Sequence, residues 1–178
     1  MTSDNELAAQ ANAGNRAAFS VLLERHYDLI YRLAFRLLAN HSDAEDLAQD
    51  ICIALPKKLK SFHGKSKLTT WLYQVTLNSG RDFLRRRTSI QKLHNEFADV
   101  ESLHKAADSE RQKNIEWAYS AINTLSDDLR ETALLVVAEG LNHAQAAEIL
   151  AIKEATVSWR MMKIRQHLKA LAISEAGN

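Results

Sequence analysis

Apolar residues recur every three or four positions along most of this chain, which is the spacing of one face of an α-helix. The period is strongest between residues 19 and 38, at Phe19, Leu22, Leu23, Tyr27, Ile30, Tyr31, Ala34, Leu37 and Leu38. It predicts one long helix that stops near Ala39 and Asn40. Only five glycines and one proline occur, and β-branched residues hardly alternate with polar ones. The pattern therefore predicts an all-α fold.

A second helix is predicted over SDAEDLAQDICIAL, because Ser42 and Glu45 have the spacing of a capping box. Its apolar side consists of Ala44, Leu47, Ala48, Ile51 and Leu55. A different side carries an acidic stripe, Asp43, Asp46 and Asp50. Pro56 lacks an N–H and costs about 3 kcal/mol inside a helix, so we expect the helix to end near Leu55 or to restart there.

The third predicted helix follows a basic loop, His63 to Lys67, and is capped by Ser66 or Thr69. Its expected core side consists of Leu68, Trp71, Leu72, Val75 and Phe83. A different side carries polar and cationic residues three or four apart, namely Gln74, Asn78, Arg81 and Arg85. Since such residues share one helix face, they predict a continuous hydrogen-bonding and cationic strip.

Residues 89–112 are polar, mixed in charge and weakly periodic, which predicts a flexible linker between two small helical domains. We place the first domain at 1–90, the linker at 91–112, the second domain at 113–173 and a tail at 174–178. The second domain should begin with a helix whose apolar positions are Ile115, Ala118, Tyr119, Ile122 and Leu125.

The next helix of the second domain should be capped by Ser126 or Asp127 and should stop at Gly140, a position that favours left-handed backbone. Asn142 and Gln145 have the spacing of another capping box, which predicts a short helix over HAQAAEIL.

That short helix and the one after it are joined at Ala151 to Glu154, which predicts a helix-turn-helix. Trp159 lies about 200° from Val157 and Met161 around the second helix, away from its core side. An outer face with Ser, Trp, Arg, Met and Lys suits the DNA major groove. The alternative is that Trp159 packs on the other domain or on a neighbouring helix and that the arginines beside it only solvate the surface.

The formal net charge of +1 hides a strong segregation of charge along the chain. Between residues 57 and 87, Asp82 is the one acid among the cations Lys57, Lys58, Lys60, Lys65, Lys67, Arg81, Arg85, Arg86 and Arg87. The stretches on either side lean acidic. This block is therefore a candidate for binding a polyanion through one face of the molecule.

Other classes of protein find little support in the sequence. No apolar run approaches the roughly 18 residues of a membrane span, and the N-terminus lacks the features of a signal peptide, so no membrane insertion and a cytoplasmic location are expected. Cys52 is the one cysteine, and the seven histidines share no metal-ligand spacing. No catalytic motif is present, so we expect no enzyme activity, metal or cofactor.

Three segments together resemble a bacterial RNA polymerase sigma factor of the extracytoplasmic-function (ECF) type, the minimal kind with only sigma regions two and four. They are YRLAFRLLANHSDAEDLAQDICIAL, SFHGKSKLTTWLYQVTLNSGRDFLRRR and LSDDLRETALLVVAEGLNHAQAAEILAIKEATVSWRM. The resemblance runs from about Phe19 to Leu171. It implies a subunit that binds core RNA polymerase, through the clamp helices of its large subunit and through its flap, and that directs promoter-specific initiation.

The resemblance also implies roles for particular residues. Those implied to bind the clamp helices are Asp43, Glu45, Asp46, Gln49 and Asp50. Those implied to bind the −10 element are His63, Gly64, Lys65, Lys67, Gln74, Asn78, Arg81, Arg85 and Arg86. Those implied to bind the −35 element are Thr156, Ser158, Trp159, Arg160, Met162 and Lys163. An anti-sigma factor is a further candidate partner.

Alternatives stay open for these surfaces. Acidic side chains near a helix N-terminus are favourable without any partner, which accounts for Asp43 and Glu45 but not for Asp50. The chain departs from the family pattern at Leu77, which stands where a basic residue is common, and at Ala151 and Lys153, which replace a turn glycine and a Ser-like cap. Ser158 and Trp159 also depart from it, since basic and small residues are common there. A two-domain regulator that binds duplex DNA without polymerase is the second function considered.

Overall fold

The computed structural model describes the backbone of residues 2–94, 120–122 and 124–176, and side chains over 2–87, 120–122 and 124–174. All its regular elements in these ranges are helical, as predicted. The chain divides into two compact units, Met1–Ser89 and Ile90–Asn178. The first contains α1 (Asp4–Asn12), α2 (Arg16–Leu38), α3 (His41–Leu59) and α4 (Leu68–His94). The second contains α5 (Asp127–Ala133), a π-helical segment (Leu134–Ala138), α6 (His143–Leu150) and α7 (Glu154–Ala176).

Helix α1 was not predicted from the sequence. It begins at a capping box between Ser3 and Glu6 and buries Leu7 and Ala8. The Asp4 carboxylate pairs with Arg25 Nη1 and with His26 Nε2 on α2, both at 2.9 Å. With so few apolar residues the helix carries little periodic signal, and it depends on packing against its neighbours.

Helix α2 ends as predicted, because Ala39 adopts left-handed backbone with φ +51°. The predicted capping box of α3 is wrong. Asn40 is the cap, and its side-chain oxygen accepts the Asp43 N–H at 3.0 Å, so Ser42 lies inside the first turn. The predicted end at Leu55 is also wrong, since α3 runs through Pro56 to Leu59. Pro56 is exposed while Leu55 and Leu59 are buried, so the packing of this last turn offsets the lost hydrogen bond.

Helix α4 packs against the core of the first unit. It begins one residue after Lys67, whose carbonyl accepts the Trp71 N–H at 3.2 Å, so Lys67 occupies the cap position predicted for Ser66 or Thr69. A Cβ on Gly80 would lie 2.9 Å from Leu37 Cδ1, which shows how closely α2 and α4 approach. Of the predicted core residues, Leu68, Leu72 and Val75 are buried, whereas Trp71 and Phe83 are only partly buried.

The predicted linker and the helix before α5 fall largely outside the described residues. Residues 91–94 still belong to α4, while 95–112 and the positions Ile115, Ala118 and Tyr119 lie beyond what the structure describes. Residues 120–122 are helical, and Ala121 and Leu125 are buried.

The turns of the second unit follow the sequence closely. Ser126 occupies the cap position of α5, although its side chain forms no capping hydrogen bond. Gly140 has φ +69°, and the capping box of Asn142 and Gln145 is confirmed. The π-helical segment was not predicted, and α7 continues to Ala176. The core of this unit includes Leu134, Leu135, Ile149, Val157, Met161 and Ile164.

Candidate functional site

One exposed face of α3 carries acidic and amide side chains around an apolar residue. Glu45, Asp46, Gln49 and Asp50 are all exposed, and Ile53, one turn further on, is 78% exposed. We call these five residues the α3 face. Helical spacing places Ile53 in line with Asp46, Gln49 and Asp50. The sequence analysis did not single out Ile53, although its spacing from Asp50 could have revealed it.

Asp43 differs from the other acidic residues predicted on α3. It is partly buried, and its carboxylate forms an ion pair with Arg87 of α4. Its backbone N–H is held by Asn40. Both contacts are internal to the first unit, so in this structure Asp43 connects the start of α3 to α4.

The polar strip predicted on α4 is present in the structure, and two of its members form a hydrogen bond with each other. Asn78 is exposed, and its Oδ1 accepts a hydrogen bond from Arg81 Nη1 at 2.8 Å. Gln74 lies one turn before Asn78, and Arg85 lies one turn after Arg81. These four residues share one face of the helix, which we call the α4 strip.

Two residues beside the α4 strip lie elsewhere than the sequence suggested. Leu77, which stands where the family often has a basic residue, is only 2% exposed. It is therefore a core residue and does not face DNA. Arg86 lines a cleft of about 180 Å³ between α3 and α4, together with Leu47, Asp50, Ile51, Ala54, Lys58, Ser79, Asp82 and Phe83.

The basic loop before α4 is exposed at its four predicted contact residues, His63, Gly64, Lys65 and Lys67. Gly64 has φ +69°, a conformation that side chains with a Cβ rarely adopt, and no atom lies within 4 Å of where a Cβ would stand. Glycine is therefore favoured there by the backbone conformation and not by crowding from neighbouring atoms.

The outer face of α7 carries Trp159, which is 53% exposed, and Met162, which is 43% exposed. Lys163 Nζ lies 5.7 Å from the Trp159 ring centroid, within reach of a cation–π contact. Ser158 is exposed and its Oγ lies 2.9 Å from His143 Nδ1 on α6. Thr156, in the first turn of α7, is partly buried.

Arg160 is placed differently from its neighbours. Its side chain is only 13% exposed, and its Nη2 lies 2.7 Å from Asp128 Oδ2. Its Nη1 also lies 3.4 Å from both the Asp128 carbonyl and Thr132 Oγ1. The structure thus brings together Ser158, Trp159, Met162 and Lys163 and uses Arg160 to join α7 to α5.

Cys52 is partly buried, and that burial raises the pKa of its thiol above the ordinary value. Less thiolate is then present near neutral pH, which disfavours nucleophilic or metal-binding roles.

In the part of the chain that the structure describes, no group of three metal-ligating side chains comes together. None of the helices seen in those same ranges has the length and apolar character needed to cross a membrane.

Residues 22–90 match the protein family Sigma-70 region 2, and residues 115–168 match the protein family Sigma-70, region 4. The chain is 31% identical over 172 residues to the ECF RNA polymerase sigma factor SigM of Mycobacterium tuberculosis, covering 95% of this chain and 84% of SigM. The chain belongs to the ECF family of sigma factors. The ECF sigma factor SigW of Bacillus subtilis is 29% identical over 171 residues, covering 90% of this chain and 91% of SigW.

Two solved structures of sigma factors are similar to this ECF chain. One is CnrH in complex with the cytosolic domain of CnrY, with a TM-score of 0.71, 25% identity and coverage of 97% of this chain and 99% of CnrH. The other is RpoE of Bartonella quintana in complex with the anti-sigma factor NepR, with a TM-score of 0.66, 28% identity and coverage of 86% and 96%. The all-helical fold class and the resemblance predicted from the sequence are thereby confirmed.

Proposed function

We propose that this sigma factor binds core RNA polymerase through the α3 face and directs promoter-specific initiation from there. The observation that carries the proposal is the exposure of Ile53 inside an acidic, amide-bearing face. A large apolar side chain ringed by charge is typical of the centre of a protein interface. Asp46 and Asp50 would complement a basic helical partner such as the clamp helices of the large subunit. Glu45 and Gln49 form the rest of the polar surface around Ile53. Asp43 supports this surface indirectly, because its ion pair with Arg87 holds the start of α3 against α4.

The α4 strip and the loop 63–67 are proposed to hold the −10 element as a single strand. The strip offers amide and guanidinium groups that can bond base edges once the bases are unpaired, and unpairing itself costs a few kcal/mol that these contacts must offset. The loop, with glycine at its turn, lets backbone come close to a base. We place the exposed side chains of Arg85 and Arg86 at phosphates, and leave the base edges to Gln74, Asn78 and Arg81.

The outer face of α7 is proposed to enter the major groove of the −35 element. Ser158 can donate to or accept from base edges, Trp159 and Met162 can press on thymine methyl groups, and Lys163 can bind phosphate. Thr156 borders the same face. Arg160 supports this surface from behind through Asp128, and we propose that role for it in place of a direct contact with DNA.

The domain division at 1–90, 91–112 and 113–173 is part of the same proposal, and the family matches at 22–90 and 115–168 support it. We place the protein in the cytoplasm, because the DNA template and the RNA polymerase are there. We also expect it to have no enzyme activity of its own. An anti-sigma partner is proposed by analogy with RpoE, which was solved with one.

The test is run-off transcription by purified core polymerase, with and without the full chain, on a library of genomic fragments. We expect the chain to co-purify with the core enzyme and to start transcripts at a shared sequence. A chain that never associates with core polymerase, yet shifts promoter duplexes by itself, would instead be a helix-turn-helix regulator.

A further inference from the structure

Ser158 is held by a side chain from the other helix of the helix-turn-helix. His143 is the first residue of α6, and its Nδ1 lies 2.9 Å from Ser158 Oγ in the second turn of α7. Nothing in the sequence pattern singled out His143, because the two residues are far apart along the chain and meet only through the turn between the helices.

Both ends of this hydrogen bond are fixed in position. The His143 backbone follows directly on the capping box, in which Gln145 N donates to Asn142 Oδ1 at 2.9 Å and Asn142 N donates to Gln145 Oε1 at 3.0 Å. On the other side of α7, Arg160 is tied to Asp128 at 2.7 Å. The Ser158 hydroxyl therefore has one defined neighbour within the protein and one side open to a ligand.

A serine hydroxyl has one proton to donate and two lone pairs that can accept. If His143 Nδ1 carries a proton, it donates to Ser158 Oγ, and the hydroxyl proton is free for acceptors such as guanine O6 and N7 or thymine O4. If Nδ1 is unprotonated, Ser158 donates to it, and the outward side of Oγ can only accept, for example from cytosine N4 or adenine N6.

We propose that His143 is a positioning residue that determines sequence specificity, by fixing whether Ser158 offers a proton or a lone pair to the DNA. The inference rests on the proposed function, in which the outer face of α7 reads duplex DNA. His143 touches no base in this scheme and acts through Ser158.

A purely structural role for this pair is the competing explanation. The packing of α6 on α7 is supplied by buried apolar residues, among them Ala146, Ala147, Ile149, Val157 and Met161. The hydrogen bond itself is exposed. Its loss should therefore leave thermal unfolding nearly unchanged, and a role in holding the fold would appear as a clear fall in Tm.

The experiment selects promoters from a pool with a randomised −35 element, using the full chain bound to core polymerase. Ser158→Ala first identifies the base pair whose preference depends on the hydroxyl. We expect His143→Ala to weaken preference at that same base pair by roughly threefold to tenfold, the effect of one hydrogen bond. The double variant should add nothing further, because both changes remove the same interaction.

Two substitutions test the direction of the His143–Ser158 hydrogen bond, one by keeping both a donor and an acceptor and one by leaving only an acceptor. His143→Asn keeps a donor and an acceptor close to the position of Nδ1 and should preserve the wild-type preference. His143→Asp is ionised and acceptor-only near neutral pH, so Ser158 must donate to it, and the preferred bases at that base pair should be those that present an amino group in the major groove, cytosine or adenine. The added negative charge lowers affinity for all sequences, but only this base pair should change its preference.

His167 supplies a matched control, because its Nε2 forms a similar bond with Thr124 Oγ1 at 2.8 Å in the same unit. His167→Ala should leave the selected sequences as they are. An unchanged preference in His143→Ala, or a uniform loss over all sequences, would overturn the inference while leaving the proposed function intact. A wild-type chain that selects no −35 sequence at all would overturn both.

Discussion

Two alanines of this chain adopt left-handed backbone, at the ends of α2 and α6. Ala39 has φ +51° and Ala151 has φ +54°. A Cβ in this conformation crowds the following carbonyl at a cost of about 1–2 kcal/mol. The turn of the helix-turn-helix is thus formed under strain, because the burial of Ile149, Val157 and Met161 on both sides of it favours this path of the chain.

Ala151→Gly should raise the free energy of unfolding of the second unit by about 0.5–1 kcal/mol. It removes the crowding and retains the turn, while the added freedom of glycine in the unfolded chain offsets part of the gain. Denaturant unfolding measures the change. Ala144→Gly, at an exposed site inside α6, is the control and should lower stability by about the same amount. A loss of stability in Ala151→Gly would contradict the account.

Trp159→Ala should change the −35 preference and leave the melting temperature nearly unchanged. Trp159 is 53% exposed and contacts Lys163, so its removal opens no core cavity. Promoter selection measures the change in −35 preference, and thermal unfolding measures the melting temperature. A large drop in melting temperature would show that the ring belongs to the core after all.

At the scale of elements, α3 and α4 divide the first unit into an acidic face and a cationic strip. The two helices are packed together through Leu47, Ala48, Ile51, Leu72 and Val75, members of one core cluster. Because these buried residues fix how each helix is turned, the α3 face and the α4 strip are exposed by the same packing that stabilises the unit.

Ile53→Ala should weaken binding of core polymerase about tenfold without lowering the melting temperature. Removing an exposed apolar side chain costs little in the free protein, while an apolar residue at the centre of an interface contributes more than 1 kcal/mol to binding. Val21→Ala is the matched control, since Val21 is an exposed apolar residue on α2. Equal effects of the two substitutions would remove the α3 face from the proposed interface.

Asn78→Ala should spare polymerase binding and impair promoter opening. The change removes an amide that the Arg81 guanidinium holds at 2.8 Å on the exposed strip, and no buried contact goes with it. Reactivity of unpaired thymines toward permanganate measures opening, and co-purification measures binding. Equal loss of both would count against the role assigned to the α4 strip.

At the scale of the whole molecule, a net charge of +1 conceals two surfaces of opposite sign. Exposed cations lie in the last turn of α3 and in the second half of α4, namely Lys57, Lys58, Arg85 and Arg86, and the α3 face is acidic. We therefore expect a polyanion to be attracted to the cationic residues and repelled by the α3 face, which favours one orientation of the first unit on its template.

Arg85→Gln should weaken promoter binding by the holoenzyme about equally for all sequences. It should also reduce the slope of log affinity against log salt by about one, because one fewer phosphate is neutralised. Arg16→Gln is the control, since Arg16 is an exposed cation that belongs to the start of α2 and not to the α4 strip. An unchanged slope in Arg85→Gln would show that this cation does not meet phosphate.

The sequence by itself determined the helical class, the capping box at Asn142 and the stop at Gly140, because periodicity and local hydrogen bonding act over a few residues. It also indicated the family, because DAEDLAQD, TWLY and RRR stand together. Only the tertiary structure decided that α3 passes through Pro56, that Leu77 is buried and that Arg160 pairs with Asp128. These outcomes depend on contacts between residues distant in the chain, where burial and charge pairing outweigh local preference.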